Sequence, residues 1–317
     1  MHKYIARRLL ISFPVLWGIT VLIFVFINLM PGDPIMAMID PRSPRWVDRE
    51  ALLESLGLNK PLPVRYVLWL RELIHGNLGY SYHSKEPIAQ IIARNIVPTL
   101  VLIGTVVFIT TFGGLLLGVM SALRPYSLRD YVLTVFCFSG VAMPDFFFAL
   151  VLVYLVVLKA GMLPAFGMMT LGSPPSLLDG VRHIILPAAV LSFRTTASIV
   201  RYARASMLEV LNAHYLSTAR AKGLAERAVI WGHAFRNALL PMITVLGLRL
   251  PWLVGGSVIV ETIFHWPGMG TVFIRAVGGR DYPVIMATSL ISAVAVLLAN
   301  LIADIAYAFA DPRIRYE

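Results

Sequence analysis

The stretch "LLISFPVLWGITVLIFVFINLM" (Leu9–Met30) decides the fold class, because its 22 residues include no charged side chain. A transmembrane helix needs about 20 consecutive apolar residues to cross the hydrocarbon core of a bilayer. The run is longer than the apolar core of a signal peptide, and it ends in "NLMPGDP" rather than at a small-residue cleavage site. We therefore expect a retained first transmembrane span.

The composition of the whole chain agrees with a membrane protein. Hydrophobic residues make up 58% and charged residues 14% of the 317 positions, and the mean hydropathy is +0.77. Soluble domains carry about 25% charged residues, so a soluble fold is excluded. The net charge of +10 fits cytoplasmic loops rich in Lys and Arg, and we expect no nucleic-acid partner. The single cysteine, Cys137, lies in an apolar run and is expected to be a small core residue.

Five further apolar runs follow the first, so the fold class that we predict is an all-α membrane protein with six transmembrane helices. A pair of glycines, Gly114-x-x-x-Gly118, lies in the second run and predicts close packing against another helix. After Leu9–Met30, the predicted spans are Ile96–Leu123, Tyr131–Leu158, a span that starts near Ile184, Asn237–Val260 and Pro283–Ala303.

The chain divides at the end of a mixed polar segment, Pro31–Asn95. Within this segment, "DREALLESLGL" and "VRYVLWLRELIHG" have helical spacing, which predicts a small external element. We therefore divide the chain into an N-terminal region, residues 1–95, and a five-span core, residues 96–317. The core includes a loop at residues 205–238.

The orientation follows from the basic residues near the ends of the spans. With six spans, four basic segments fall on one side, which predicts that both termini are cytoplasmic and that Pro31–Asn95 is external. These segments are the N-terminus with Lys3, Arg7 and Arg8, the loop with Arg124 and Arg129, the region between Arg201 and Arg236, and the tail with Arg313 and Arg315.

The cytoplasmic stretch "AHYLSTARAKGLAERAVIWGHAFRNALLP" (Ala213–Pro241) is patterned as two helices separated by a glycine. Gly223 predicts a left-handed stop, with Leu224 packing back on the preceding turn. After it, apolar residues at three- and four-residue spacing predict an interfacial amphipathic helix leading into the fifth span. Physical reasoning leaves open whether this elbow binds a partner or only sets topology. The apolar positions are Ala228, Trp231, Phe235 and Leu239.

Three charged residues, Asp145, Arg194 and Arg249, fall near the middle of predicted spans. A charge at the bilayer centre costs at least about 2.5–3.5 kcal/mol on insertion scales, so it faces a partner or an aqueous path. Two interpretations stay open: the residues line a translocation path, or they form an internal Asp–Arg pair that locks helices together. Pro144 and Pro251 lie beside two of them and can open the helix locally.

Sequence motifs for catalysis or cofactor binding are absent from the chain. It has no G-x-x-x-x-G-K-[ST] phosphate loop, no H-E-x-x-H motif and no set of nucleophile and base. The seven histidines show no metal-ligand spacing. We therefore expect no catalytic site, no cofactor site and no metal site in this chain.

The segments "YLSTARAKGL" and "HAFRNALLP" resemble the EAA loop of bacterial binding-protein-dependent ABC importers. More narrowly, the chain resembles the B-type permease subunit of the dipeptide/oligopeptide family. Matching segments extend over nearly the whole chain and occur in the family's order. They are "YIARRLLISFPVLWGITVLIFVFINLMPGDP", "ARASMLEVL", "ETIFHWPGMG", "RDYPV" and "DPRIR".

The resemblance implies the type I permease fold of ABC importers and a subunit that forms half of a path for di- or oligopeptides. It implies a place in the bacterial cytoplasmic (inner) membrane, surrounded by lipid. The implied partners are a second homologous permease, two ATPase subunits that bind ATP and Mg, an external substrate-binding protein and the peptide. The chain itself would be no enzyme.

The resemblance also implies roles for individual residues. Ala213–Leu224 would be a coupling helix that docks on an ATPase, with Tyr215, Ser217, Thr218, Ala219, Arg220, Ala221, Lys222, Gly223 and Leu224 as its residues. The name-giving Glu-Ala-Ala is here Ser217-Thr218-Ala219, so the family's glutamate has no counterpart. The segment from Glu261 to Gly270 would form an external gate, with Glu261, Phe264, Pro267 and Gly268 as candidates.

Alternatives remain for the transported substrate and for the class of transporter. Nickel and oligosaccharide importers share this permease type. A secondary transporter that uses the buried charges for ion coupling is a rival from another class. An intramembrane enzyme is disfavoured by the missing nucleophile and metal motifs.

Overall fold

A computed structural model describes residues 2–29, 50, 54, 57, 59–172, 174 and 176–310. Within these ranges, the side chains of residues 2–6, 307–310 and many positions between 240 and 256 fall outside the description. The described residues form helices joined by short turns, with one isolated bridge between Tyr80 and Pro87. The predicted all-α class is confirmed.

The helices follow one another along the chain with π-helical turns at three places. The π turns are Ile109–Gly113, Val153–Lys159 and Val229–Ala234. The helices are α1 (His2–Leu29), α2 (Leu62–Ile74), α3 (Ile88–Phe108), α4 (Gly114–Leu123), α5 (Leu128–Ala142), α6 (Asp145–Leu152), α7 (Leu177–Leu211), α8 (His214–Ala221), α9 (Phe235–Ile263), α10 (Met269–Gly279) and α11 (Tyr282–Ala310).

Two compact units divide the chain. The first comprises the described residues within 1–6, 100–266 and 296–317, and the second comprises those within 7–99 and 267–295. The predicted boundary at residue 95 divides the chain by membrane topology and stays a prediction. Each unit has its own hydrophobic core.

In the first unit, α7 is the central helix, and α4, α5 and α9 pack against it. A Cβ atom added at Gly114 would lie 2.7 Å from Cγ2 of Ile199, and one added at Gly118 would lie 2.9 Å from the carbonyl oxygen of Val200. Only glycine admits so close an approach of two helices. The packing predicted from the Gly114-x-x-x-Gly118 spacing is confirmed.

Four helical segments of the described residues are long and apolar enough to span a membrane, or five if a bent pair counts as one span. The predicted fifth span, Asn237–Val260, lies in the 29-residue helix α9, many of whose side chains are outside the description. The six-span count stays a prediction. The four segments are Arg7–Leu29, Ile88–Leu123, Leu177–Leu211 and Tyr282–Ala306.

The predicted third span, Tyr131–Leu158, is built from two helices at an angle, and whether they form one span stays a prediction. The chain bends by 113° between Leu128–Ala142 and Asp145–Lys159. Met143 is extended and Pro144 begins the next helix, because proline lacks an amide hydrogen and disfavours helical backbone in the residue before it. Asp145 therefore lies in the first turn of α6, directly after the bend.

In the second unit, α2 packs its aromatic residues on α1. The rings of Tyr66 and Trp69 lie 5.4 and 5.9 Å from that of Phe24, and the hydroxyls of Thr20 and Tyr66 are 2.9 Å apart. The helix predicted from "VRYVLWLRELIHG" is confirmed. Most residues of "DREALLESLGL" lie outside the described residues.

The carboxylate of Asp281, which is almost fully buried, holds two segments of the second unit together. It accepts hydrogen bonds from the Ser81 hydroxyl at 2.5 Å and from the amides of Tyr82 and His83 at 3.1 and 3.4 Å. Asp281 thus joins the loop before α3 to the turn between α10 and α11. A desolvated carboxylate is stable in such a place because these donors replace its water shell.

Candidate functional site

The elbow predicted at Ala213 begins directly at the end of the central helix. Helix α7 ends at Leu211, and α8 begins at His214 after only Asn212 and Ala213. The amide of Ala213 donates to the carbonyl oxygen of Val210 at 2.9 Å, which makes the connection a tight turn. Only two residues therefore separate α8 from α7.

Two residues anchor α8 on the first unit. Leu216 is fully buried and Ala219 is 9% exposed, and they share a core cluster with Val119, Ala203 and Met207. They lie three positions apart, on one face of the helix. Ala219 therefore faces the core, and its predicted role in docking stays a prediction. The other predicted docking residues are exposed: Tyr215, Ser217, Thr218, Arg220, Ala221, Lys222, Gly223 and Leu224.

The left-handed stop predicted at Gly223 is confirmed, since its φ is +77°. The amide of Gly223 donates to Arg220 O at 2.9 Å, and the amide of Leu224 donates to Ala219 O at 3.4 Å. This pair of bonds is the Schellman motif, which satisfies the last carbonyl groups of a helix. Leu224 is 43% exposed, so its side chain stays open to solvent instead of being buried on the preceding turn.

An exposed ion pair bridges the glycine turn. Arg220 donates to Glu226 through Nε at 3.2 Å and through a terminal nitrogen at 2.9 Å. This hydrogen-bonded guanidinium lowers the pKa of Glu226 below its usual value of 4.5. The two-point geometry fixes the direction of the chain after α8, although solvent screens the charges.

The apolar stripe predicted after the glycine turn is changed by the π turn Val229–Ala234. The buried positions are Val229, Ala234, Ala238 and Met242, so the first interval is five residues rather than four. A π turn inserts one extra residue and rotates the following helix face. Of the predicted stripe, Ala228 and Trp231 are exposed, while Phe235 and Leu239 are partly buried. The rings of Trp231 and Phe235 lie 5.2 Å apart.

A buried ion pair fastens α5 to α7 and was not predicted from the sequence. Arg204 donates through Nε to Oδ1 of Asp130 at 2.7 Å and through a terminal nitrogen to Oδ2 at 2.8 Å. The Ser121 hydroxyl and the Tyr126 amide also donate to this carboxylate, which is almost fully buried. The only local sign of this site in the sequence is the N-terminal cap Ser127, whose side chain accepts a hydrogen bond from the amide of Asp130. Nothing local identifies Arg204 as the partner, because 74 residues separate the two.

Two of the predicted path residues, Asp145 and Arg194, are placed by the structure close enough for their charges to interact. Asp145 is partly buried, and Arg194 is the one exposed position in residues 186–200 of α7, all of which are described. Because the rest of this helix segment is buried or partly buried, the exposed Arg194 faces a space that water or another chain fills. The side chain of Arg249, in α9, lies outside the description, so no contact is assigned to it.

The predicted gate segment contains more buried than exposed candidates. Glu261 and Phe264 are buried in the first unit, where the amide of Trp266 donates to Glu261 O at 2.8 Å. In the second unit, Pro267 is exposed and Gly268 is buried directly before α10. Glu261 and Phe264 therefore lie inside the first unit at the end of α9. Their role in a gate stays a prediction.

Potential metal ligands do not gather in the described part of the chain, where no group of three or more His, Cys, Asp or Glu side chains has the spacing for a metal ion. The free cysteine, Cys137, is buried on α5, as expected for a core residue.

Comparison with known proteins covers the whole chain. A family model described as "Binding-protein-dependent transport system inner membrane component" matches residues 114–316, and the model of the corresponding N-terminal region matches residues 1–103. The chain is 45% identical to the oligopeptide transport system permease protein AppB of Bacillus subtilis over 317 residues, all of both proteins. It is 40% identical to the di/tripeptide transport system permease protein DppB of Pseudomonas aeruginosa, again over the full length of both.

Among solved structures, the fold is similar to a chain of the MetNI methionine ABC transporter in inward-facing conformations. The TM-score is 0.56 at 16% sequence identity, and the match covers 71% of this chain and 99% of that one. At this level of identity the likeness concerns the fold alone.

Proposed function

Because the chain belongs to the family of binding-protein-dependent transport system inner membrane components, we propose that it forms half of the translocation path of an ATP-driven importer of di- or oligopeptides. The proposed substrate class rests on the 45% and 40% identity of this chain, over its full length, to two bacterial peptide permeases. Nickel or oligosaccharide transport finds no comparable support among these relatives.

The proposed assembly contains a second, homologous permease, two ATPase subunits on the cytoplasmic side and an external substrate-binding protein. ATP and Mg would be bound and used by the ATPase subunits, with no catalytic site or cofactor in this chain. The complex would lie in the bacterial inner membrane with both termini of this chain in the cytoplasm.

The exposed face of α8 is the proposed docking surface for the ATPase. Leu216 and Ala219 hold the helix on the first unit, while Ser217, Ala221 and Lys222 face outward. Small exposed residues let a partner approach the helix backbone closely. Gly223 ends the helix in a defined direction, so the docking surface is short and has a fixed shape.

Force on α8 would reach the translocation path through α7. The turn at Asn212–Ala213 is only two residues long, and the Asp130–Arg204 pair fastens α5 to the same helix. Closure of two ATPases would therefore move α5 and α7 together. A rigid connection of this kind allows ATP binding to favour one of two states of the path.

Cysteine cross-linking of the reconstituted complex tests the docking surface. In a Cys137→Ser background, we expect Ala221→Cys to cross-link to the ATPase subunit with a short bifunctional reagent. Ala219→Cys is the matched control, because it is the same substitution two positions away on the buried face. Equal yields at both positions, or no cross-link at Ala221 and the neighbouring exposed positions, would reject the docking surface.

Uptake by proteoliposomes tests the class of transporter. We expect dipeptide accumulation that requires ATP, both ATPases and the external binding protein. Accumulation driven by an ion gradient in vesicles containing this chain alone would favour the secondary transporter instead. Binding of nickel or an oligosaccharide, and not of peptides, by the external protein would change the substrate class but not the mechanism.

A further inference from the structure

A cleft of about 220 Å³ lies between α4, α5 and α7 in the first unit. We call it the α5–α7 cleft; its lining includes Ser121, Thr134, Cys137, Phe138, Arg201 and Arg204. It lies between two places where α5 and α7 are held together. At one, a Cβ atom on Gly140 would be 2.8 Å from Cβ of Ala197, and at the other Arg204 binds Asp130. The two holding points are about 15 Å apart along α5, at 1.5 Å per residue.

The two arginines of the cleft differ in how their charges are compensated. Arg204 is neutralised by the bidentate carboxylate of Asp130. Arg201 is exposed, and its guanidinium lies 5.7 Å from the ring of Tyr202. No described carboxylate forms an ion pair with Arg201. The cleft therefore presents one uncompensated cation beside a second whose charge is matched by Asp130.

The remaining walls of the cleft are mostly apolar. Phe138, Val141 and Val200 provide apolar surface, and the hydroxyls of Ser121 and Thr134 add polar atoms. A guanidinium next to apolar walls suits a ligand with one carboxylate and a small organic body, since the low local polarity strengthens the charge-assisted bonds. The volume is below the roughly 300–1,000 Å³ of sites for larger ligands, so it accommodates a terminal residue and not a whole peptide.

The position of Arg201 on α7 connects the cleft to the predicted path. Arg194 precedes it by seven residues, which is two helical turns or about 10.5 Å on the same face. Between them Ala197 is buried, so the two guanidinium groups are successive exposed groups along that face. An anionic group that leaves Arg194 would meet Arg201 next.

We propose that the α5–α7 cleft is a transit site for the C-terminal carboxylate of a peptide, with Arg201 as the residue that selects the anionic terminus. The proposal rests on the proposed function as a peptide permease. It adds a binding step within the permease, separate from recognition by the external binding protein.

The native thiol of Cys137 on the cleft wall is the reporter for the test. The complete transporter is reconstituted in proteoliposomes and treated with small thiol reagents, and modification of Cys137 is measured by peptide mass spectrometry. We expect a negatively charged methanethiosulfonate to react about fivefold faster than a positively charged one, because Arg201 attracts anions locally. Arg201→Gln should remove this difference, and Arg182→Gln, on the same helix but outside the cleft, should keep it.

Peptide protection is the second measurement on the same preparation. We expect saturating Ala-Ala to slow the modification of Cys137 at least about threefold, and the C-terminally amidated peptide to protect less, because it lacks the carboxylate that Arg201 binds. Arg201→Lys should keep the preference for the anionic reagent with weaker protection, since it retains the charge but not the two-point geometry. If Cys137 is slow to react, Thr134→Cys with Cys137→Ser provides a second reporter.

Several outcomes would overturn the inference. They are equal protection by the free-acid and amidated peptides, an unchanged charge preference in Arg201→Gln, protection that depends on anionic phospholipid rather than on peptide, and no reaction at either reporter. In all of these cases ATP-dependent uptake by the unsubstituted transporter would leave the proposed function intact. Absence of that uptake would reject the proposed function itself.

Discussion

The successive helices α7 and α8 lie in opposite environments, although only two residues separate them. In the most apolar part of α7, 72% of residues are buried, whereas α8 buries only Leu216 and Ala219. Each helix is also associated with an arginine that binds a carboxylate at two points: Arg204 with buried Asp130, and Arg220 with exposed Glu226. Similar ion-pair geometry therefore serves two purposes. The buried pair holds α7 to its neighbours, and the exposed pair directs the chain after α8.

Breaking the buried pair should have the largest effect. Asp130→Asn removes the charge that matches Arg204, and the arginine is left partly buried without an anion. We expect a loss of about 2–3 kcal/mol in unfolding free energy, below the range for fully buried pairs because the side chain of Arg204 keeps 30% exposure. Thermal unfolding of the purified complex in nanodiscs measures this loss.

The double replacement Asp130→Leu with Arg204→Met is the control for the buried pair, because it removes both charges together. It should recover much of the lost stability. If the single and double variants unfold alike, the pair does not hold α5 to α7 in the way we describe.

Filling the contact between α4 and α7 should have the next largest effect. The added methyl of Gly118→Ala would meet Ala203 and the backbone of Val200, so we expect a loss of about 1–3 kcal/mol from overpacking. Gly104→Ala, in α3, is the matched control because no atom lies within 4 Å of its added Cβ. The midpoint of thermal unfolding should fall below that of the parent in Gly118→Ala. It should rise above that of the parent in Gly104→Ala, because alanine has a higher helix propensity than glycine.

Changing the glycine turn should affect coupling more than stability. Gly223→Ala places a side chain at φ +77° and strains the turn by about 1–2 kcal/mol, although no atom crowds the new Cβ. We expect weaker coupling between ATP hydrolysis and peptide uptake in proteoliposomes, with a loss of unfolding free energy no larger than this strain. Gly232→Ala, another uncrowded position, should leave coupling unaltered. A large loss of stability in Gly223→Ala would mean that α8 belongs to the fixed core.

Removing the exposed pair should have the smallest effect, and this effect should depend on pH. Arg220 lowers the pKa of Glu226, so the pair stabilises the elbow above pH about 4.5 and the contribution is lost as the pH falls through the lowered pKa. Hydrogen exchange of the amides at 222–226 should therefore be faster in Glu226→Gln at neutral pH and equal to the parent in acid. Added salt should reduce the difference, and a difference that persists in strong salt would contradict a screened surface pair.

Sequence patterns were reliable where one short segment contains the whole cause. Leu9–Met30 needs no partner to be a membrane helix, Gly223 needs only its own backbone to stop α8, and Gly114 with Gly118 forms a small-residue face by spacing alone. The bend at Pro144 had a local signal in its proline. The size of the bend, 113°, had no local signal, because it depends on the packing around α5 and α6.

Tertiary structure alone decided the features that join distant segments. Asp130 binds Arg204 across 74 residues, the α5–α7 cleft lies between two separate contacts that hold those helices together, and the π turn after Glu226 sets which face of α9 is buried. The physical reason is that helix periodicity reports only which residues share a face. Which partner a buried charge binds, and where two helices separate, depends on long-range packing that no local pattern encodes.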